Sequence, residues 1–246
     1  MDFRTLCAPN LPGSEHLSQQ IFKSRWVMDL ILSMVLVATT SDYYCADSYF
    51  ANGTNCDILL KSKDDDGCPV MVEIQDAVTS TWIRDKLLLD YCNQIIRSTG
   101  KVPIVIVFPI HPLSEDLNEV FDKEQEHWFA HQITVKILAK KLYIVDPATI
   151  RNATIDPLPP IAALAVFLAD QKRSFFESDY HNEPTFRKLY DLAFEICEKG
   201  GLKTGIMGRY SAQKQLIKKV TQLVDANDGS LNDYLVQMHD LLSAMP

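Results

Sequence analysis

The sequence predicts an α/β fold, a mixed β-sheet flanked by helices with a helical C-terminal extension. Three observations carry this. Residues 56–62 and 69–75 are two apolar runs joined by the polar turn KDDDGC at 63–68, the pattern of a β-hairpin. Residues 80–97 then place Ile83, Leu87, Leu88, Tyr91, Ile95 and Ile96 on one helical stripe. Last, VPIVIVF at 102–108 is apolar throughout, as a strand covered on both faces should be. A strand–helix–strand crossover of this length normally returns parallel, so an antiparallel hairpin opens a sheet that continues in parallel.

The other elements follow in chain order. Residues 1–13 carry Pro9, Pro12 and Gly13 and read as an extended leader. Ser14 can cap a helix in which Leu17, Ile21, Trp26, Leu30, Ile31, Met34 and Val35 recur on a helical period, and one helix to about Ala38 is expected. The aromatic stretch 43–50 reads as a short edge strand, and Asn52-Gly53 as a turn. Gly100 stops the helix of 80–97. Residues 113–131 are acidic and amphipathic, a surface segment, and LYIVD at 142–146 is a further strand. Asp156-Pro-Leu-Pro-Pro opens a helix over 161–171. Residues 185–199 and about 211–242 are helical by pattern, separated by the glycine-rich 200–208. The expected organisation is a leader (1–13), a core (14–175) and a helical extension (176–246).

Composition narrows the function. Apolar residues make up 47% of the 246, enough for a substantial core, and the net charge of −8 argues against a generally cationic nucleic-acid binder. The charge is uneven. Residues 187–219 hold eight Lys/Arg against three Asp/Glu, a local +5 that leaves −13 for the rest. A basic module on an acidic body and a solvated helical surface both fit. The six cysteines (Cys7, Cys45, Cys56, Cys68, Cys92 and Cys197) form no CxxC pair and read as free thiols, with no structural zinc. The start has no basic region followed by an apolar core, so no signal peptide is expected. Residues 27–38 are strongly apolar but too short for a bilayer and contain Asp29. The chain is expected to be soluble and intracellular, cytoplasmic or nuclear, with no membrane partner.

Strand parity singles out a candidate site. Glu73 and Gln75 are two apart and share a face of their strand. Folding the hairpin about Asp65 sets Asp57 opposite Glu73, and folding it about Asp66 sets Asp57 opposite Gln75. Both registers put Asp57 on the face of that pair, whereas a one-residue slip sends it to the other. Two carboxylates and an amide oxygen on one patch suit a hard divalent cation. The histidines suit no such site. His127 and His131, in HWFAH, stand four apart with no intervening glutamate and read as a polar helical stripe. Asp64-Asp65-Asp66-Gly67 lacks the alternating ligands of a calcium loop, and neither GxSxG nor a dinucleotide fingerprint is present.

Asp57, a hairpin, Glu73-Ile74-Gln75, a helix with Arg84 and Tyr91, and an apolar strand together resemble the PD-(D/E)XK nuclease superfamily. The likeness is strongest to the recombination-promoting nuclease, or putative transposase, branch, in which the motif lysine is commonly glutamine. It spans roughly residues 15–170 and is sharpest over 55–108. The resemblance implies a restriction-endonuclease-like fold, Mg²⁺ or Mn²⁺ as cofactor, and hydrolysis of DNA, with RNA not excluded and homodimers common. It further implies Asp57 and Glu73 as metal ligands joined by the Ile74 carbonyl, and Gln75 as the residue placing the attacking water. Arg84, Tyr91, Glu15 and Lys61 are possible supporting residues, Glu15 as the extra acid of some members and Lys61 as a stand-in for the motif lysine. Glutamine can orient water but cannot accept its proton. That departure leaves open a nuclease fold without catalysis, serving as an interaction or nucleic-acid-binding module.

Overall fold

A computed structural model of the chain describes residues 4–6, 10–36, 42–135, 137–153, 155, 157–199 and 205–206. Its centre is a mixed six-stranded sheet of order β2-β3-β4-β5-β7-β6, and a separate two-stranded ribbon joins β1 (Arg4–Thr5) to β8 (Gly205–Ile206). The main strands are β2 (Tyr43–Ala46), β3 (Ile58–Ser62), β4 (Val70–Gln75), β5 (Ile104–Pro109), β6 (Ala130–Ile133) and β7 (Lys141–Val145). β2 and β3 pair antiparallel, as do β3 and β4, while β4–β5 and β5–β7 are parallel. The parallel turn is the one that the strand–helix–strand spacing demands.

Alternation along the central strands builds two cores. Ile58, Leu60, Val70, Val72, Ile104, Ile106 and Phe108 face one layer. That layer contains α1 (Glu15–Phe22), α2 (Arg25–Val35), α6 (Pro160–Asp170) and α7 (Pro184–Lys199). Leu59, Met71, Val105 and Val107 face the other, under the crossover helix. β5 is buried at all six positions because both its faces are covered.

The crossover helix starts as α3 (Ser80–Trp82), with the Thr79 side chain accepting from the Trp82 N–H. It widens into a π-helical segment over Ile83–Cys92 and returns to α geometry as α4 (Asn93–Thr99). Gly100, at φ 70°, ends it in the left-handed region as expected. The wider turn alters the stripe: Ile83, Leu87, Cys92 and Ile95 are buried, with a step of five from Leu87 to Cys92. Tyr91, expected inside the stripe, sits at its margin, only half-buried.

Several expectations are corrected. The single helix over 14–38 is two, because Ser24 is extended (φ −65°, ψ 133°) and starts α2 afresh. Ser14 occupies the N-cap position of α1, but its side chain makes no capping bond. The histidine pair is not helical. His131 lies in β6, stacked on Phe121 with centroids 4.2 Å apart, and His127 Nε2 lies 3.2 Å from the Met34 carbonyl. α5 (Pro147–Asn152) was not anticipated; Asp146 caps it by accepting from the Ala148 and Thr149 N–H groups. Leu6 in the expected leader is buried, and its N–H donates to the Arg173 carbonyl. Past residue 175, Phe186, Leu189, Tyr190 and Phe194 of α7 join the same core as the sheet. The helix expected over 211–242 and most of the glycine-rich 200–208 lie outside the described residues. No helix among those described is long and apolar enough to cross a membrane.

Candidate metal centre

The hairpin adopts the first of the two registers: Ile58 pairs with Val72, Leu59 with Met71 and Leu60 with Val70. Continued by one residue, that ladder sets Asp57 opposite Glu73. Two hydrogen bonds fasten the junction. The Asp57 N–H donates to Glu73 Oε1 at 3.1 Å, and the Ile74 N–H donates to Asp57 Oδ2 at 2.8 Å. The second bond has a structural reason. Along β4 the carbonyls of Pro69 and Gln75 accept from Ile104 and Ile110, so odd-numbered residues bond towards β5 and even-numbered ones towards β3. β3 gives no ladder partner beyond Ile58. The N–H of Ile74 therefore takes the Asp57 carboxylate, and its carbonyl is directed to the same side.

These groups open into a cleft of about 340 Å³ beyond the carboxyl ends of β4 and β5. Asp57, Glu73, Gln75 and Asp76 line it from the sheet, and Tyr91 from the π-helical segment. Glu15 enters from the first turn of α1, while Gly13 and Gln171 close the side towards α6. Gly13 is required there. Its φ is +77°, and a Cβ would stand 2.4 Å from the Leu168 carbonyl oxygen. Among the described residues, four carboxylates line the cleft and no Lys or Arg does.

The electrostatics follow from that lining. Glu73 is only 5% exposed. Burial first, and then the Asp57 charge, push its carboxyl well above the usual range, against the Asp57 N–H that favours the ionised form. Asp57 is raised as well, chiefly by burial with a contribution from Glu15, while hydrogen bonds from the Ile74 N–H and the Gln19 side chain pull the other way. The Tyr91 hydroxyl is raised by burial and by the charges of Glu73 and Asp57. Cys92, behind the site, is pushed up to about 12 by burial and by Glu73, so it is an inert thiol.

Asp57, Glu73, Gln75, Tyr91 and Glu15 are thus brought to one cleft; two other candidates are not. Arg84 is 68% exposed and pairs with its neighbour Asp85 at 2.7 Å. Lys61 pairs with Tyr44 across to β2. It stands four residues from Asp57, about 13 Å along the strand at about 3.3 Å per residue. Gln75 donates through Nε2 to the Ala77 carbonyl at 3.2 Å, which leaves its carbonyl oxygen as the end that can accept from a water. Sequence reasoning did not single out Gln19, Asn55, Asp76 or Gln171. Gln19 had a signal as the residue four on from Glu15 on the same helical face, and Asn55 and Asp76 had theirs as near neighbours of Asp57 and Gln75.

Among the described residues, no three His, Cys, Asp or Glu side chains converge as a metal cluster. The donor set is instead two carboxylates and a main-chain carbonyl. This fits Mg²⁺, which takes one or two carboxylates and keeps several waters. It also fits the charge, since adjacent buried carboxylates with no basic residue in the lining among the described residues favour a cation between them. No family model, curated protein or solved structure matches the chain.

Proposed function

We propose that the chain is a metal-dependent phosphodiesterase of the PD-(D/E)XK type, hydrolysing nucleic acid, DNA in the first instance, and related to transposase and recombination nucleases. The observation that supports this best is the pairing of Asp57 with Glu73 across the hairpin in a cleft lined, among the described residues, by no basic side chain. Such a cleft repels a bare phosphodiester. With Mg²⁺ or Mn²⁺ bound, it gains a Lewis acid for the phosphate and a water of lowered pKa. Asp57, Glu73 and the Ile74 carbonyl would hold the ion. Gln75, anchored through its amide nitrogen, orients the attacking water by its oxygen, and Tyr91 walls the cleft. The basic stretch 187–219 would contact the nucleic-acid backbone; of it, Arg187, Lys188 and Lys199 are among the described residues. Dimerisation would bring two such sites to one nucleic acid.

One observation favours a second reading. Among the described residues the lining contains no lysine, and Lys61 is too distant to replace one, so a fold that binds metal and nucleic acid without cutting also fits. Incubation of plasmid and single-stranded DNA with Mg²⁺, Mn²⁺ or EDTA decides between them. Metal-dependent cleavage lost in both Asp57→Asn and Glu73→Gln supports hydrolysis. Metal binding without cleavage supports the second reading, and cleavage that survives both substitutions rejects this site.

A further inference from the structure

The cleft has an aromatic neighbour that the reading above does not use. Tyr49 is 75% exposed, and its backbone forms an antiparallel bridge with Asn55, a lining residue of the cleft. Bridged partners in antiparallel strands project their side chains to the same side, with Cβ atoms roughly 5 Å apart. The phenol ring therefore stands beside Asn55 on the rim, two residues along from Asp57.

The ring is held on a fixed support. The Tyr49 N–H donates to Asp47 Oδ1 at 3.0 Å, and the Cys56 N–H to the Ser48 carbonyl at 3.2 Å. Phe50 bonds Thr54 through its N–H at 2.8 Å, and Asn52 accepts from the Thr54 N–H and hydroxyl. Gly53, at φ 82°, completes the turn. Phe50, the next aromatic residue, turns inward, its ring 6.4 Å from that of Tyr91. The same short hairpin thus spends one ring on packing and leaves the other facing solvent beside the acidic groups.

An exposed tyrosine ring on a fixed backbone has only two side-chain torsions to order and offers its face to any planar partner. Nucleobases are such partners, and stacking needs no positive charge, which this cleft lacks. Bases in a duplex already stack on one another; those of a single strand are free. Resting on the nuclease reading, we propose that Tyr49 is a stacking platform for a nucleobase beside the cleft, and that the substrate is a single-stranded or locally unpaired segment of nucleic acid.

Binding of fluorescent dT20, rU20 and a dT20·dA20 duplex in Ca²⁺, a hard cation that takes the same oxygen ligands, tests this for wild type, Tyr49→Ala, Tyr49→Phe and Tyr49→Trp. Loss of one stacked base is expected to weaken single-strand binding by Tyr49→Ala roughly 5- to 100-fold. Tyr49→Phe and Tyr49→Trp should bind as wild type does, and duplex affinity should be unchanged throughout. The proposal is overturned if wild type fails to bind either strand, if Tyr49→Ala binds normally, if Tyr49→Phe loses as much as Tyr49→Ala, or if the duplex suffers equally. Mn²⁺ calorimetry on the same proteins separates the two readings. Metal binding with no Tyr49 effect defeats the stacking site alone, and a Tyr49 effect with no metal bound defeats the metal centre alone.

Discussion

The two ends of the central sheet carry clefts of nearly equal size and opposite character. Beyond the carboxyl ends of β4 and β5, about 340 Å³ is lined by Glu15, Asp57, Glu73 and Asp76. At the amino ends of β5 and β7, about 330 Å³ is lined by Val102, Ile133, Val135, Lys140 and Lys141. Volume does not distinguish them; neutralisation does. Lys141 is met by Glu126 at 2.6 Å, and Glu126 also accepts from the Tyr143 hydroxyl. Its charge is answered within the fold. Asp57 and Glu73 receive main-chain N–H groups, but among the described residues no basic side chain lines their cleft. At the lysine end Lys141 is paired within the fold, whereas the carboxylates of the acidic end meet no basic side chain in the cleft lining among the described residues.

That contrast can be broken by substitution. The largest effect concerns a metal-induced rise in melting temperature. Mn²⁺ at about 100-fold over Kd stabilises the folded state by about 2.7 kcal/mol, roughly 5–10 °C for a chain of this size. Differential scanning calorimetry should show this rise in wild type and in Lys141→Met, and none in Asp57→Asn or Glu73→Gln. Without metal the order reverses at the acidic end. Glu73→Gln removes a buried like charge while keeping an acceptor for the Asp57 N–H, and should be more stable than wild type by about 1–2 kcal/mol in urea denaturation.

Gly13→Ala comes next. It combines a positive φ with a clash against the Leu168 carbonyl, and should cost about 2 kcal/mol or more, together with weakened metal binding as Glu15 shifts.

Asp146 has an effect of similar size at the end of β7. Burial opposes its ionisation, yet hydrogen bonds from His131, the Thr149 hydroxyl and the Ala148 and Thr149 N–H groups outweigh it and hold the carboxyl at about 2. A carboxylate depressed from 3.8 to about 2 contributes stability that is full above 3.8 and lost as the pH falls through 2. Asp146→Ala should therefore cost about 2 kcal/mol at pH 7. The difference from wild type should narrow below pH 3.8 in acid titrations of the melting temperature. Smallest of all, Lys141→Met should change stability by less than about 1 kcal/mol, because its ion pair is solvent-exposed.

How much of this was legible in the sequence depended on period and distance. Period two fixed the face shared by Asp57, Glu73 and Gln75, and the turn length confined the hairpin to two registers, of which the Asp65-centred one is observed. The unbroken apolar run of β5 declared its burial on both faces. By contrast, the π-helical turn cannot be read from spacing, since Leu87 and Tyr91 look like ordinary helical neighbours until one extra residue per turn brings Cys92 inward. β6 was missed because Ala130–Ile133 is a short edge strand with two polar residues. The cap of α5 was legible after all, as Asp146 followed by Pro147. Gln171 reaches the cleft only through tertiary contact, which no local pattern encodes, whereas Asn55 and Asp76 come with their chain neighbours Asp57 and Gln75.

Isothermal titration of Mn²⁺ into wild type, Asp57→Asn and Glu73→Gln at neutral pH bears on the central claim most directly. Saturable binding in wild type that both substitutions abolish is the expected result. Heats that are identical in all three proteins, or absent from wild type, would contradict it.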